Sequence, residues 1–221
     1  MVSALRSEFD KQLAALNDAV LDMGNRARQA VAQAVDAYAA GNADLARDVI
    51  KGDEVINERR FAIEKQCYGL LATEQPVARD MRAIVSALII VNELERVGDH
   101  GKKIARICLR VLEDPRPLPL GDIPRLSQLA LAMLDRALHA YGTHNVEQAR
   151  AVCQADDEVD ALYRQTFNVV LSRMLEDPRL IGVGTHMLQV AHELERVGDR
   201  ATNIGERVIF AATGALVDLN L

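Results

Sequence analysis

The chain is poor in the residue types that strands and membrane spans require. It has no tryptophan, and aromatic residues make up only 4% of its 221 residues. Clusters of aromatic and β-branched residues are scarce, and no clear alternation of apolar and polar residues is bounded by turn signals. The longest apolar run, Ala83 to Val91, contains Ser86 and is too short to cross a bilayer. These absences predict an all-α chain that does not cross a membrane.

Cysteine is also rare, and acidic residues outnumber basic ones. Cys67, Cys108 and Cys153 form no C-x-x-C motif, which argues against a disulfide framework or a zinc–thiolate site. The formal charge of −6 argues against nucleic acid as a partner, because phosphate binding needs a basic surface. The N-terminal residues show no apolar core of a signal peptide. Together these features predict a cytoplasmic protein.

The chain does contain a repeated heptapeptide. Glu-Leu-Glu-Arg-Val-Gly-Asp occurs at Glu93–Asp99 and again at Glu193–Asp199. Upstream, the acidic segment Asp53–Asn57 is paralleled by Asp156–Asp160. In each half, a turn with a proline separates this acidic segment from the heptapeptide. A duplicated helical unit that carries the same acidic motif is the simplest interpretation.

Apolar residues spaced by three and four predict six long helices. The predicted helices run to about residue 40, then over about 44–71, 76–112, 124–141, 145–175 and 178–212. Four of the six prolines fall within 114–124, where they predict a stiff connection. The expected fold is two tandem, pseudo-symmetric three-helix bundles, with residues 1–113 as the first repeat, 114–124 as a linker and 125–221 as the second repeat.

Several acids of the repeats are expected to point inward. Glu95 continues an apolar stripe, and Asp99 lies one helical turn beyond it. Asp53 also falls at an inward position of its helix. The stripe before Glu95 consists of Met81, Ile84, Leu88 and Val91. Facing carboxylates repel one another and lose solvation, so they need a cation, which could be an arginine, a lysine or a hard metal ion.

Simpler interpretations remain open from the residues alone. Most acid pairs four residues apart are solvated surface charge, and Glu95 and Asp99 could be ion-pair partners of Arg60, Arg96 or Lys102. Gly98 and Gly198 lie inside predicted helices, where a glycine costs about 1 kcal/mol, and they suggest close approach of a ligand or a second backbone.

Catalytic signals are weak. The five histidines are expected at the surface or at its boundary, and no E-x-x-H motif supports a di-iron centre of the ferritin type. No glycine-rich phosphate loop and no nucleophile arrangement is present. We therefore assign neither catalytic nor organic-cofactor-binding residues and expect no enzyme activity.

The residues resemble the PhoU family, accessory regulators of bacterial high-affinity phosphate transport. The resemblance covers nearly the whole chain. Its most specific segments are Gln75–Arg82, Leu94–His100, Asp157–Tyr163, Leu194–Asp199 and Asn203–Glu206.

The resemblance implies metal ions, iron or zinc, bound in multinuclear sites on the acidic motifs. The ligands that it implies by position are Asp53, Asn57, Glu95 and Asp99 in the first half, and Asp156, Asp160, Glu195 and Asp199 in the second. The halves differ, because Asn57 replaces an acid and Lys103 stands where the second half has Asn203. The first site is therefore expected to bind metal less tightly.

The resemblance also implies a function. Such proteins act between the ATPase subunit of the phosphate ABC transporter and a sensor histidine kinase, and they repress uptake and the starvation response when phosphate is plentiful. A homodimer that meets the membrane only through its partners is expected. Two other readings stay open: a carboxylate-bridged metalloenzyme, and a metal-free helical scaffold whose acids form only ion pairs.

Overall fold

The computed structural model describes residues 2–114 and 120–217, and within these ranges the chain is helical and contains no strand. A 3-10 turn, Pro178–Leu180, precedes the last helix. The helices are α1 (Val2–Ala40), α2 (Ala43–Thr73), α3 (Ala78–Val111), α4 (Ile123–Thr143), α5 (Val146–Gln154), α6 (Asp156–Glu176) and α7 (Ile181–Thr213). Helices α5 and α6 together occupy the place of one predicted helix.

The helices form two three-helix units around one apolar core. Helices α1, α2 and α3 pack together, and α4 packs with α5, α6 and α7. The predicted fold of two tandem, pseudo-symmetric bundles is thus confirmed. The repeat boundaries at 113 and 125 stay a prediction, since residues 115–119 of the expected linker lie outside the described part of the chain.

The second helix of the first unit, α2, and its counterpart in the second unit, α5, begin in the same way. Asn42 caps α2 and accepts hydrogen bonds from the backbone N–H groups of Asp44 and Leu45. Asn145 caps α5 and accepts one from the N–H of Gln148. Each asparagine satisfies donors that a helix start leaves unpaired, and each lies eleven residues before the first predicted acidic ligand of its half. The duplication therefore includes the capping residue.

Three details differ from the predicted helices. Pro76 precedes α3, which begins at Ala78, so it does not occupy the first turn. Met81, expected to be inward, is 47% exposed in the first turns of α3. The fifth helix is interrupted at Ala155, whose N–H is shared between the carbonyls of Ala151 and Val152, the tighter pattern of a 3-10 turn. The interruption places Asp156 at the start of a new helix.

Helices α3 and α7 form the main contact between the units, and α1 packs on α4 beside it. Within the first unit, α3 and α1 also approach each other closely and need a small residue between them. A Cβ added at Gly101 of α3 would lie 2.9 Å from the backbone nitrogen of Val31 and 3.0 Å from the carbonyl carbon of Ala30 on α1. Gly101 therefore sets how closely α3 lies on α1.

The first glutamate of each heptapeptide reaches across to the other unit. Glu93 Oε2 accepts hydrogen bonds of 3.0 Å from Arg200 Nη1 and from Asn203 Nδ2. Glu193 Oε2 lies 2.5 Å from His100 Nδ1 and 3.8 Å from Lys103 Nζ. His100 and Arg200 occupy equivalent positions of the two copies, so the contacts repeat with pseudo-twofold symmetry. We call the Arg200–Glu93 and Lys103–Glu193 contacts the reciprocal ion pairs; Asn203 and His100 add hydrogen bonds to the same glutamates.

No helix within the described ranges has both the length and the apolar composition needed to cross a membrane.

Candidate functional site

The structure brings the four predicted acids of the second half together between α6 and α7; we call them the second cluster. Asp156 and Asp160 lie in the first two turns of α6, and Glu195 and Asp199 lie one turn apart on α7. Acidic residues at a helix start are favoured by the helix dipole, which accounts for part of the acid run at Asp156. All four side chains are partly shielded from solvent.

The acids of the second cluster perturb one another strongly. Burial is the main cause that raises the pKa of Asp156 from its ordinary value of 3.8 to about 6, and repulsion from Asp199, Asp160 and Glu195 adds to it. Burial, followed by repulsion from Asp199 and Asp160, likewise raises the pKa of Glu195 from 4.5 to about 7. Ionising these groups near neutral pH is therefore unfavourable unless a cation arrives.

Arginines only partly compensate the second cluster. Arg196 Nη1 lies 3.1 Å from Asp199 Oδ2, and both Arg196 and Arg200 oppose the rise in the pKa of Asp199 that burial causes. Two buried oxygens, Asp156 Oδ1 and Glu195 Oε2, have no hydrogen-bond partner among the described residues. His192 Nδ1 lies 3.3 Å from Glu195 Oε2, without hydrogen-bond geometry. Each uncompensated buried oxygen is costly.

Gly198 lets α6 approach α7 at this point. A Cβ added there would lie 3.3 Å from Asp156 Oδ1 and 3.4 Å from a methyl carbon of Val159. The equivalent Gly98 accommodates Ile56, whose Cδ1 would be 2.8 Å from an added Cβ. Both glycines are thus explained by the approach of the neighbouring helix and its side chains.

The predicted acids of the first half, on α2 and α3, form the first cluster, and lysines accompany them. Asp53 is 6% exposed, and its Oδ2 lies 2.5 Å from Lys102 Nζ. Asn57 Nδ2 donates to the same oxygen at 3.3 Å. Lys103 Nζ lies 3.1 Å from Asp99 Oδ2. Glu95, on the same helix, is half-buried.

Lys102 was considered as a possible ion-pair partner of Glu95 or Asp99, but in the structure it pairs with Asp53. Lys103, named as a departure from the acidic pattern, pairs with Asp99. Ion pairing thus describes the first cluster better than the second.

The two clusters differ as candidates for a metal ion. No three His, Cys, Asp or Glu side chains of the described residues already surround one ion position. In its chemistry the second cluster fits a hard cation, because it offers four carboxylates and two unpartnered buried oxygens. The first cluster does not fit one as it stands, since Lys102 already holds the buried Asp53 and Lys103 forms an exposed ion pair with Asp99.

The reciprocal ion pairs were not predicted from the sequence, and the expectation that all five histidines lie at the surface or at its boundary is wrong at one position. His100 is only 7% exposed, because it lies in the α3–α7 contact opposite Glu193. The signal was present in the repeat itself. Glu93 and Glu193 are identical in both copies, but a helical stripe cannot show that they meet the other unit.

The comparisons with known proteins agree with this architecture. The family model for the PhoU domain matches residues 20–108 and 123–208. A phosphate-specific transport system accessory protein PhoU homolog of Rhizobium meliloti is 38% identical over 213 residues, 96% of this chain and 90% of that protein. One from Clostridium acetobutylicum is 35% identical over 216 residues, 97% of this chain and 99% of that protein.

Solved structures agree as well. The crystal structure of PhoU from Pseudomonas aeruginosa superposes with a TM-score of 0.90 at 32% identity, covering 94% of this chain and all of that chain (100%). The phosphate transport system regulatory protein PhoU from Streptococcus pneumoniae gives a TM-score of 0.89 at 31% identity, covering 95% and 99%. With both repeats matched and the fold shared over nearly its whole length, this chain belongs to the PhoU family.

Proposed function

We propose that this chain is an accessory regulator of phosphate-specific transport. The observation that carries the proposal is the match of both repeats, together with relatives of that name that align with 96% and 97% of the chain. In finer terms, the protein works in the cytoplasm without catalysis. It couples the ATPase subunit of the phosphate ABC transporter to a sensor histidine kinase, and it represses uptake and the starvation response when phosphate is plentiful.

Outward apolar side chains support an adaptor role. Phe61 and Tyr68 of α2 are 57% and 59% exposed and lie seven residues apart, on one face of the helix. On α6, Phe167 and Leu171 are also exposed. Large apolar groups on the outer helix of each bundle are typical of surfaces that meet other proteins, partners or a second copy of the chain.

A gene deletion tests the regulatory role directly. We expect the deletion strain to take up phosphate and to express a starvation-response reporter even in phosphate-rich medium, and the wild-type gene to restore repression. Unchanged uptake and unchanged reporter expression in the deletion strain would contradict the proposal.

Pull-down with the purified ATPase subunit and with the kinase tests the coupling. We expect Phe61→Ser with Tyr68→Ser to weaken binding to at least one of them, whereas the matched change Glu58→Gln on exposed α2 surface leaves it intact. Analytical ultracentrifugation of the same variants shows whether the patch serves the expected homodimer instead. Wild-type protein that binds neither partner would overturn the coupling.

We also propose that the second cluster binds metal, iron or zinc being the ions that suit the family. A bound cation would neutralise carboxylates of α6 and α7 together and so hold the two helices to each other. The raised pKa values of Asp156 and Glu195 and their two unpartnered oxygens support the proposed metal site. Elemental analysis of protein purified without added metal tests the site, with Asp156→Asn plus Glu195→Gln as the knockout and the exposed Glu158→Gln as control.

That measurement also separates the remaining readings. Metal absent from the wild-type protein, even after incubation with zinc or ferrous iron, favours the metal-free scaffold. A metalloenzyme would require turnover that the knockout abolishes.

A further inference from the structure

The residues that follow the two heptapeptides carry different charges. Lys102 and Lys103 follow the first copy, and Thr202 and Asn203 stand at the equivalent positions of the second. The flanking sequence is otherwise alike, with Ile104 and Ile204 continuing the buried stripe of each helix. At these two positions the first cluster therefore has two positive charges that the second lacks, whereas the second cluster has Arg200 where the first has His100.

Each of the two lysines forms an ion pair with an acid of the first cluster. Lys102 is held between α3 and α2 by Asp53, and its side chain is 22% exposed against 7% for the aspartate. Lys103 pairs with Asp99 one turn away and also reaches Glu193 of the other unit. The ammonium of Lys102 bridges two helices, as a cation between Asp156 and Glu195 would do in the second unit.

Neither equivalent residue of the second unit can serve in this way. Thr202 carries no charge and is fully buried, and its hydroxyl has no hydrogen-bond partner within the described part of the chain. Asn203 donates to Glu93 and so faces the other unit. The carboxylates of the second cluster keep two unpartnered oxygens, whereas Asp53 in the first cluster accepts from both Lys102 and Asn57.

We propose that Lys102 and Lys103 take the place of the cation in the first bundle, so that this bundle is stable without metal and only the second depends on it. A divalent ion beside Asp53 and Asp99 would be repelled by two ammonium groups and would have to displace them. The inference rests on the proposed cation site of the second cluster for its comparison, but the lysine contacts stand independently of that site. Metal supply would then act on the protein through one half alone.

Transfer of the second unit's residues tests the proposal. We expect the double variant Lys102→Thr with Lys103→Asn to bind more zinc than the wild-type protein. The additional bound zinc should be lost when Asp53→Asn is introduced as well. The Tm of the double variant should fall in chelator and recover with zinc by more than the wild-type Tm does. Lys51→Thr, which removes an exposed lysine of α2, is the matched control and should leave both measurements unchanged.

The single change Lys102→Gln guards against a fold that fails for steric reasons, because it removes the charge and keeps a polar side chain of similar length. It should lower the Tm in chelator and make the Tm rise with zinc by more than the wild-type Tm does. Zinc content and zinc-dependence equal to the wild type in both folded variants would overturn the proposal. So would wild-type protein that loses zinc on Asp53→Asn as it does on Asp156→Asn.

The two proposals fail separately. If wild-type protein binds no zinc, the second-cluster site falls, while a zinc-dependence created in the lysine variants still supports the substitution of metal by lysine. If wild-type protein binds zinc at both clusters, the second-cluster site stands and the lysine proposal falls.

Discussion

Raising the pH of the metal-free protein is expected to lower its free energy of unfolding through Asp156 and Glu195. Both carboxyls have raised pKa values in the folded protein, about 6 and about 7, against 3.8 and 4.5 ordinarily. The folded chain therefore holds protons near neutral pH that the unfolded chain has released. The stabilisation is complete below the unfolded pKa values and is lost as the pH rises through the folded ones.

The magnitude follows from the size of the shifts. One pKa unit corresponds to about 1.4 kcal/mol, so a fully shielded carboxyl shifted by about two units would contribute about 3 kcal/mol. Solvent reaches the pair, since the Glu195 side chain is 20% exposed, and the repulsion between the acids is shared and must not be counted twice. We expect about 1–2 kcal/mol for the pair between about pH 5 and pH 8, or about 2–8 °C in Tm.

Urea unfolding in the presence of a chelator measures this effect. Asp156→Asn with Glu195→Gln keeps the shapes and cannot titrate, so the difference between wild type and variant cancels other titrating groups. The variant should gain on the wild type as the pH rises. Zinc should reverse the order at high pH, because a ligand present at 100 times its Kd stabilises by about 2.7 kcal/mol. Parallel pH profiles for the two proteins would refute the electrostatic account of the cluster.

Two further predictions concern the packing of the helices. Glu93→Gln should destabilise the protein by about 3 kcal/mol in urea unfolding, because it removes the carboxylate that contacts the buried Arg200 at 3.0 Å. Glu58→Gln should stay within about 0.5 kcal/mol, and equal losses for the two variants would count against the reciprocal ion pairs. Gly101→Ala should cost about 1–3 kcal/mol, since the new methyl group meets the backbone of α1. At Gly52 an added Cβ has nothing within 4 Å, so Gly52→Ala should raise the free energy of unfolding by up to about 1 kcal/mol. A gain in stability for both glycine variants would contradict the close packing of Gly101 on α1.

The reciprocal ion pairs connect these predictions to the duplication. Arg200 is adjacent to Asp199 of the second cluster and is held by Glu93 of the first unit. Lys103 holds Asp99 of the first cluster and reaches Glu193 of the second unit. Each cluster is therefore flanked by a cation that a glutamate of the other unit orients. We therefore expect a change of charge at one cluster to alter the contact between the bundles.

Much of the fold could be predicted from the sequence because the signals are local. Spacing by three and four, the caps at Asn42 and Asn145 and the prolines between the units predict helices and their order. The interruption at Ala155 could not be predicted, since a shared hydrogen bond within a continuous helical pattern leaves no mark in the sequence. The start of α3 was missed by two residues, because Pro76 was expected in the first turn and the helix begins at Ala78.

The candidate site was predicted as two similar sets of four ligands, with the first expected to be weaker. That ranking followed from Asn57 and Lys103, which differ from their counterparts within the repeat. Whether metal binds either set stays a prediction. The decisive contact of Lys102 with Asp53 lies between residues 49 positions apart, and the helical pattern alone does not join them.

By itself the sequence determined that the chain is helical, duplicated and acid-bearing, because periodicity, repeats and capping residues are properties of neighbours along the chain. Only the tertiary structure decided which charges compensate which. The partners of an inward carboxylate come from the helix that packs against it, and the choice between Lys102 beside Asp53 and unpartnered oxygens at Asp156 and Glu195 depends on that packing. Two nearly identical heptapeptide environments thereby acquire different electrostatics.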